Sequence, residues 1–433
     1  MPRLSVVLLL ASGVRLAAAA TAQVFAAPSK GPLMQTANYT SFSNSTLKDK
    51  VTCKGKAFNR IIQVWLENTN FATTASTPIF ESLAEQGILL TNYNGVTHPS
   101  QPNYVAAIGG DFFGMHGDNM YHIPSNISTV VDLLEDKGVS WASYQENMPA
   151  DGFYGVNYKA KNYLFPGSAD YPYYVRKHNA LMTYDAVSQD AKRVKRIRTF
   201  NDFANDVVNG TLPQWVFVTP NIVNDAHDTT IDFAASFLEY WLLPLLTDSR
   251  VNDGETLILL TFDETETYTI RNNVFAVLLG GAIPLNLRGT TDDTLYTHYS
   301  SLSTVQANWG LKSLGRQDTI ANVSNVFSFV ADKTGYKNVK VPADQVPQFN
   351  QIGVVPGALS SIHFVPFAAP DLKACGAGGG SVFTRPGLNT ELTVALLPPP
   401  VNLLALNKTT PWQMSPRTTS GKSIIPCADA TCV

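Results

Sequence analysis

A chain of 433 residues, 45% hydrophobic and 15% charged, is long enough for one large α/β core or two modest domains, and its ordinary balance excludes disordered and fibrous classes. A net charge of −3 leaves no broad basic face for nucleic acid and no excess of acid for a solvating tail. In chain order, Met1-Pro2-Arg3 gives a positive start, Leu4 to Leu10 an apolar run, and small residues continue through Ala20-Thr21-Ala22. That pattern matches a secretory signal peptide over 1–22, with an apolar core too short to span a bilayer. No later segment carries about 18 uninterrupted apolar residues, so a secreted protein without stable membrane insertion is expected.

Sequons at Asn38, Asn44, Asn126, Asn209, Asn322 and Asn407 fit export and N-linked glycans. The four cysteines, Cys53, Cys375, Cys427 and Cys432, lack metal-type CxxC spacing and are expected to form two disulfides in one of three pairings. The short separation of Cys427 and Cys432 favours a local loop, which leaves Cys53 for Cys375.

Residues 23–56 read as a polar arm. Ile61 to Leu66 then has the composition of a strand buried on both faces, and it ends in Glu67-Asn68. A helix is expected over Thr77 to Gln86, a strand from Gly87-Ile88-Leu89-Leu90, and a helix over Thr129 to Asp136 that stops near Gly138. Strands are expected at Trp141 to Tyr144 and at Trp215 to Thr219, followed by one long amphipathic helix over Ile231 to Leu246. Leu257 to Phe262 is another buried run, and it too ends in acid, Asp263-Glu264. This alternation predicts an α/β fold, a mostly parallel central sheet sandwiched by helices. The catalytic domain is expected over 57–340, with an irregular insertion or lid between about 150 and 180, where Tyr, Gly and Pro concentrate. A Pro/Gly-rich extension over 341–433 packs on that domain.

In open α/β sheets ligands gather beyond the carboxyl ends of the strands. Carboxylates there are costly unless a positive partner neutralises them, and a divalent cation neutralises several at once. The two acidic strand ends therefore point to a metal site built from both segments. Between them, Ser100 stands before the apolar stretch Tyr104 to Ile108, where a helix N-terminus suits a phosphate; the competing reading is an N-cap serine in a proline-driven turn. Asn221 to Asp228 follows a further buried strand and concentrates Asn, Asp and His.

Ser100-Gln101-Pro102-Asn103-Tyr104, followed by Gly109-Gly110 and Met115-His116-Gly117, resembles the nucleophile region of the alkaline phosphatase superfamily. More narrowly, five segments resemble the phosphoesterase family: Glu67-Asn68, His98 through Tyr104, Pro220-Asn221 with Asp225-Ala226-His227-Asp228, Asp263-Glu264, and His298-Tyr299-Ser300. That family contains fungal secreted acid phosphatases and bacterial non-specific phospholipases C. The resemblance implies an alkaline-phosphatase-like fold and a phosphoseryl intermediate. Ser100 would be the nucleophile, activated by a divalent cation that Glu67, Asn68, Asp263 and Glu264 hold with hard oxygen donors. Asn103 would donate its amide N–H to a phosphoryl oxygen. His227 and His298 would bind phosphate or act as general acid. Asp225 would belong to a second metal site, but Asp225-x-His227 departs from the Asp-x-x-x-His spacing of the wider superfamily, so one metal is expected and the second stays open. His98 and His116 are read as either loop braces or site residues, and His178 as either a substrate-pocket contact or part of a surface basic turn. The expected function is a secreted acid phosphatase acting on small phosphate monoesters. The alternatives are a phospholipase C or phosphodiesterase on the same site, or a glycosylated ligand-binding protein without catalysis. No Gly-x-Ser-x-Gly elbow surrounds Ser100, which argues against a triad hydrolase.

Overall fold

The computed structural model describes residues 47–384, apart from 163, 166, 351–354 and 362. The signal peptide, most of the arm, Asn38, Asn44, Asn407, Cys427, Cys432 and the rest of the extension lie outside the described residues. The strands within it are β1 (Arg60–Leu66), β2 (Ile88–Leu90), β3 (Tyr93–Asn94), β4 (Trp141–Gln145), β5 (Asn157–Ala160), β6 (Tyr171–Val175), β7 (Ile197–Thr199), β8 (Trp215–Thr219), β9 (Thr256–Phe262), β10 (Ala276–Leu279), β11 (Thr290–Asp292) and β12 (Tyr296–Thr297). Eight of them form one sheet in the order β11-β2-β10-β9-β1-β8-β4-β7. The run from β9 to β7 is parallel throughout, and β10 is antiparallel to both its neighbours. This is the mostly parallel α/β sheet expected from the alternation of strands and helices.

Every residue of β1, β4, β8 and β9 is buried, which is why these runs carry no polar alternation: both faces are covered. Burying each Ile, Leu or Val side chain contributes roughly 1.5–3 kcal/mol, so runs this apolar are driven to the centre of the sheet. Across them Trp65 stacks on Phe217 with ring centroids 5.2 Å apart.

The helices begin and end where local chemistry directs. Pro78–Gln86 starts with proline in its first turn and stops at Gly87. Val130–Lys137 is closed by a capping box in which the Thr129 hydroxyl accepts from Val131 N–H at 3.0 Å and the Asp132 carboxylate accepts from Thr129 N–H at 2.8 Å. Gly138, at φ 76°, supplies the left-handed stop.

Three expectations are corrected. The single helix over Ile231 to Leu246 is α-helical over Ile231–Phe237, π-helical over Leu238–Leu242 and α-helical again over Leu243–Thr247. Pro244 has no N–H to give the preceding turn, and a wider turn there accommodates the lost bond. The insertion between 150 and 180 is not irregular throughout: β5 and β6 form an antiparallel hairpin with a bulge between Tyr158 and Ala160. Finally, Cys53 is a free thiol while Cys375 is disulfide-bonded, so the two are not joined; sequence separation carried no information about which thiols approach. The described part of the extension bonds back to the domain, through Leu359 N–H to Phe113 carbonyl at 2.9 Å and Phe383 N–H to Ser313 carbonyl at 2.7 Å.

Candidate active site

Parallel register brings the two acidic strand ends together. Leu66 of β1 pairs with Phe262 of β9, so Glu67 and Asp263 leave the sheet side by side, and Asp263 N–H still donates to Leu66 carbonyl at 3.1 Å. Glu67 N–H in turn donates to Asp225 carbonyl at 2.8 Å, which ties in the segment after β8. Asn68 adopts φ 40°, a left-handed conformation that asparagine tolerates better than most residues.

Ser100 is the first residue of a helix spanning Ser100–Gly109, all of it buried. Its hydroxyl donates to Glu67 Oε2 at 2.9 Å and reaches Glu264 Oε1 at 3.3 Å. The other oxygens of those carboxylates are also engaged: Tyr104 Oη donates to Glu67 Oε1, and His98 Nδ1 contacts Glu264 Oε2. Asp263 Oδ1 accepts from Asn68 N–H at 3.2 Å and from Glu264 N–H at 2.7 Å.

Glu67, Asp225, Asp263 and Glu264 are all fully buried. Burial raises the proton affinity of each well above that of an ordinary carboxyl, and a neighbouring carboxylate adds to it: Asp263 for Glu67, Glu67 for Asp225 and Glu264, Glu264 for Asp263. Lys177 acts against this on all four. The same fields act on Lys177, where burial lowers the ammonium's pKa but Glu67, Asp118 and Asp263 carry it above its usual value. Asp263 Oδ2 and Asn68 Oδ1 are buried without a hydrogen-bond partner. Hard oxygens left bare beside two more carboxylates fit a divalent cation, which would satisfy them together.

On the other side of Glu67 lies a nitrogen-bearing cluster. His178 Nε2 lies 3.2 Å from Glu67 Oε1, and His178 Nδ1 lies 3.2 Å from Asp225 Oδ2. His227 N–H donates to Asp225 Oδ1 at 2.9 Å, its Nδ1 lies 2.6 Å from Asp228 Oδ1, and its Nε2 lies 2.8 Å from Lys177 Nζ. Glu67, His178 and His227 each offer a ligand atom within 4.8 Å of the others, an arrangement that could hold a cation. The Lys177 ammonium already stands against His227 Nε2, however, and would repel a dication there. Burial, then the nearby Lys177 and His227, lower the pKa of His178 well below the ordinary imidazole value.

Glu67, Ser100, Asp225, Asp263, Glu264 and His227 thus converge, with Asn68 beside them. Two other residues stand differently. Asn103 spends its whole amide on its own loop: Oδ1 accepts from Val96 N–H at 2.8 Å and Thr97 N–H at 3.2 Å, and Nδ2 donates to Thr97 carbonyl at 2.8 Å and Pro99 carbonyl at 3.2 Å. Both amide protons thus point to loop carbonyls. His298 is fully buried, with Nε2 2.6 Å from Asp263 carbonyl and Nδ1 3.3 Å from Tyr93 Oη; burial pulls its pKa down to about 3. Nε2 thus braces the Asp263 carbonyl, and Nδ1 is engaged by Tyr93. His116 also braces, with Nδ1 near Gly114 carbonyl and Nε2 near Ser361 Oγ, each at 3.2 Å.

Sequence reasoning left His178 undecided and passed over Lys177, Tyr104, Asp118 and Glu146. The available signal was the polar run Arg176-Lys177-His178-Asn179, which follows β6 and which the hairpin returns to the strand ends. Glu146, immediately after β4, is buried and accepts from Asn221 N–H at 2.9 Å and Asn224 Nδ2 at 3.0 Å, so it holds the turn that leads into Asp225.

An α/β sheet with buried acids clustered around one serine at its carboxyl edge defines a hydrolase-like centre of the kind that handles anionic esters. The chain belongs to the phosphoesterase family, whose model matches residues 64–312. It is 47% identical over 348 residues to an acid phosphatase of Aspergillus fumigatus, covering 78% of this chain and 75% of that one. It is also 47% identical over 329 residues to a phosphate-repressible acid phosphatase of Penicillium chrysogenum, covering 76% of each. Among solved structures it is similar to a protein in the alkaline phosphatase superfamily from Vibrio parahaemolyticus, at 10% identity and a TM-score of 0.37, over 63% of this chain and 72% of that one.

Proposed function

We propose that this chain is a secreted acid phosphatase that hydrolyses phosphate monoesters through Ser100 and a phosphoseryl intermediate. The carrying observation is the position of the Ser100 hydroxyl, 2.9 Å from Glu67 and 3.3 Å from Glu264 at the first turn of a buried helix. Kinship with acid phosphatases supplies the reaction class. Secretion rests on the leader-like N-terminus and the sequons, and no helix among the described residues is long and apolar enough to cross a membrane.

In this reading Ser100 Oγ attacks phosphorus, its proton passes to Glu67 Oε2, and the bond from phosphorus to the leaving oxygen breaks. Glu67, Asn68, Asp263 and Glu264 would hold a divalent cation, which would supply Lewis-acid stabilisation of negative charge on the serine and phosphoryl oxygens. Lys177 and His227, 2.8 Å apart, stand ready to pass a proton to the departing alkoxide, and Asp228 orients the imidazole through Nδ1. Lys177 also gives the positive charge that a second cation would otherwise bring. Water then attacks the phosphoserine and returns a proton to the Lys177–His227 pair, the Oγ–P bond breaks, Ser100 recovers its proton from Glu67 Oε2 and phosphate leaves. His298 and Asn103 serve as positioning residues, one holding Asp263 and the other the Ser100 loop.

Replacing Ser100→Ala tests the assignment. The rate on p-nitrophenyl phosphate is expected to fall by at least about 10³-fold, in line with loss of a nucleophile elsewhere, and the wild-type enzyme quenched in turnover should carry phosphate on Ser100 by mass spectrometry. Retention of the rate sinks the nucleophile, and faster turnover of bis-p-nitrophenyl phosphate than of the monoester would replace the phosphatase by a diesterase.

A further inference from the structure

Asp118 is an acid that the reaction above does not use, yet its carboxylate touches two groups that a phosphoryl substrate would need. Its Oδ1 accepts the backbone N–H of Gln101 at 3.0 Å, and its Oδ2 lies 3.2 Å from Lys177 Nζ. Gln101 follows Ser100 in the first turn of the ten-residue helix Ser100–Gly109, where N–H groups have no partner within the helix. A phosphoryl group on Ser100 Oγ puts its terminal oxygens within reach of that turn, and such N–H groups together with a nearby cation are what stabilise them. One carboxylate thus spans a backbone donor next to the nucleophile and the site's ammonium.

We infer that Asp118 is an internal mimic of the substrate anion, a carboxylate latch that phosphate must displace from Gln101 N–H and Lys177 before it can bind. This rests on Ser100 being the nucleophile. Mobility is available where it is needed: the Asp118 side chain is 30% exposed, whereas the carboxylates of the centre are fully buried. Asp118 also lies in the stretch from Asp111 to His122, which has no helix or strand, directly after Gly117. Its charge is felt at Glu264, so a phosphate entering beside an undisplaced Asp118 would add an anion to an already anionic centre, whereas exchange keeps the local charge nearly level.

Displacement makes a prediction opposite to that of a supporting role. A residue that merely held Lys177 in place would weaken binding when removed; a latch strengthens it, because apparent affinity scales with the fraction of molecules whose donors are free. The experiment is calorimetric titration of the cation-loaded enzyme with inorganic phosphate, together with p-nitrophenyl phosphate kinetics, for wild type, Asp118→Asn and Asp118→Ala. The phosphate Kd and the KM should fall together, by about 5- to 10-fold in the alanine variant and by less in the asparagine variant, which keeps an acceptor for Gln101 N–H. A Kd that stays level or rises overturns the latch. Should the alanine variant fail to fold, the isosteric asparagine variant carries the same test. Phosphate affinity is measured without turnover, so a wild-type protein that binds phosphate but cleaves no monoester sinks the assigned function, while unaltered affinity in the variants sinks only the latch.

Discussion

Replacing Asn103→Ala separates a clamp from a transition-state donor. The native amide makes four bonds within the segment from Val96 to Pro99, two of them from the buried backbone N–H groups of Val96 and Thr97. Alanine leaves both N–H groups without that acceptor, and the side chain is fully buried, so water has little access to replace it. At about 1–3 kcal/mol for each stranded buried donor, the variant should lose roughly 2–6 kcal/mol of stability. That loss is measurable as a lower guanidinium midpoint followed by circular dichroism. Activity should fall too, because Ser100 rides on this loop. Asn103→Asp makes a second reading: it keeps the acceptor for Val96 and Thr97 but turns an oxygen toward the carbonyls of Thr97 and Pro99, so it should also destabilise. An Asn103→Ala protein that unfolds with the wild type while its kcat drops about 100-fold, a size typical of a lost oxyanion donor, would refute the clamp.

Two further outcomes follow from the buried acids. Stripping divalent cations with EDTA should abolish hydrolysis and lower the unfolding temperature, both restored on adding the cation back, since four buried carboxylates then face one another with little compensation; full activity in the stripped enzyme would remove the cation from the mechanism. Glu146, pushed up by burial to about 7 from an ordinary 4.5, binds its proton more tightly folded than unfolded, so its contribution is whole below about pH 4.5 and is lost as pH rises through about 7. Glu146→Gln has no such loss, and its stability relative to wild type should improve by up to about 3 kcal/mol between pH 4.5 and 8, a trend that denaturant unfolding at several pH values would expose or contradict.

The acids at the ends of β1 and β9 were legible because an uninterrupted apolar run that stops in carboxylate has few places to go in a folded chain. Register did the rest, since two parallel neighbours of similar length deliver their ends to the same edge. The hydrogen bonds of Asn103 were hidden from the sequence for a reason of scale. A motif fixes which side chain is present, whereas the direction of each amide atom depends on loop carbonyls and N–H groups whose placement no local pattern encodes. His298 illustrates the same limit, because its commitment to the Asp263 carbonyl joins residues 35 apart in sequence. Lys177 and His178 were hard to place because an inserted hairpin carries them to the centre, and the π-helical turn before Pro244 depended on how one missing N–H is absorbed.

Lys177 shares in neutralising the carboxylates of the centre. Four buried carboxylates need more positive charge than a single dication supplies, and in many sites a second ion would provide it. Here Lys177 stands against His227 Nε2 and is held in its charged form by Glu67, Asp118 and Asp263, which makes the nitrogen-rich side of Glu67 already cationic. A dication bound by Glu67, His178 and His227 would have to expel that ammonium from a pocket where it is only 15% exposed. Spacing offers a sequence-level counterpart: Asp225 and His227 are two residues apart, so both meet the same face of the centre, and His227 N–H is spent on Asp225 Oδ1. Lys177 is thus a movable positive charge on that side, and a side chain that donates hydrogen bonds can hold Asp118 at rest and, in the proposed mechanism, a phosphoryl oxygen during turnover.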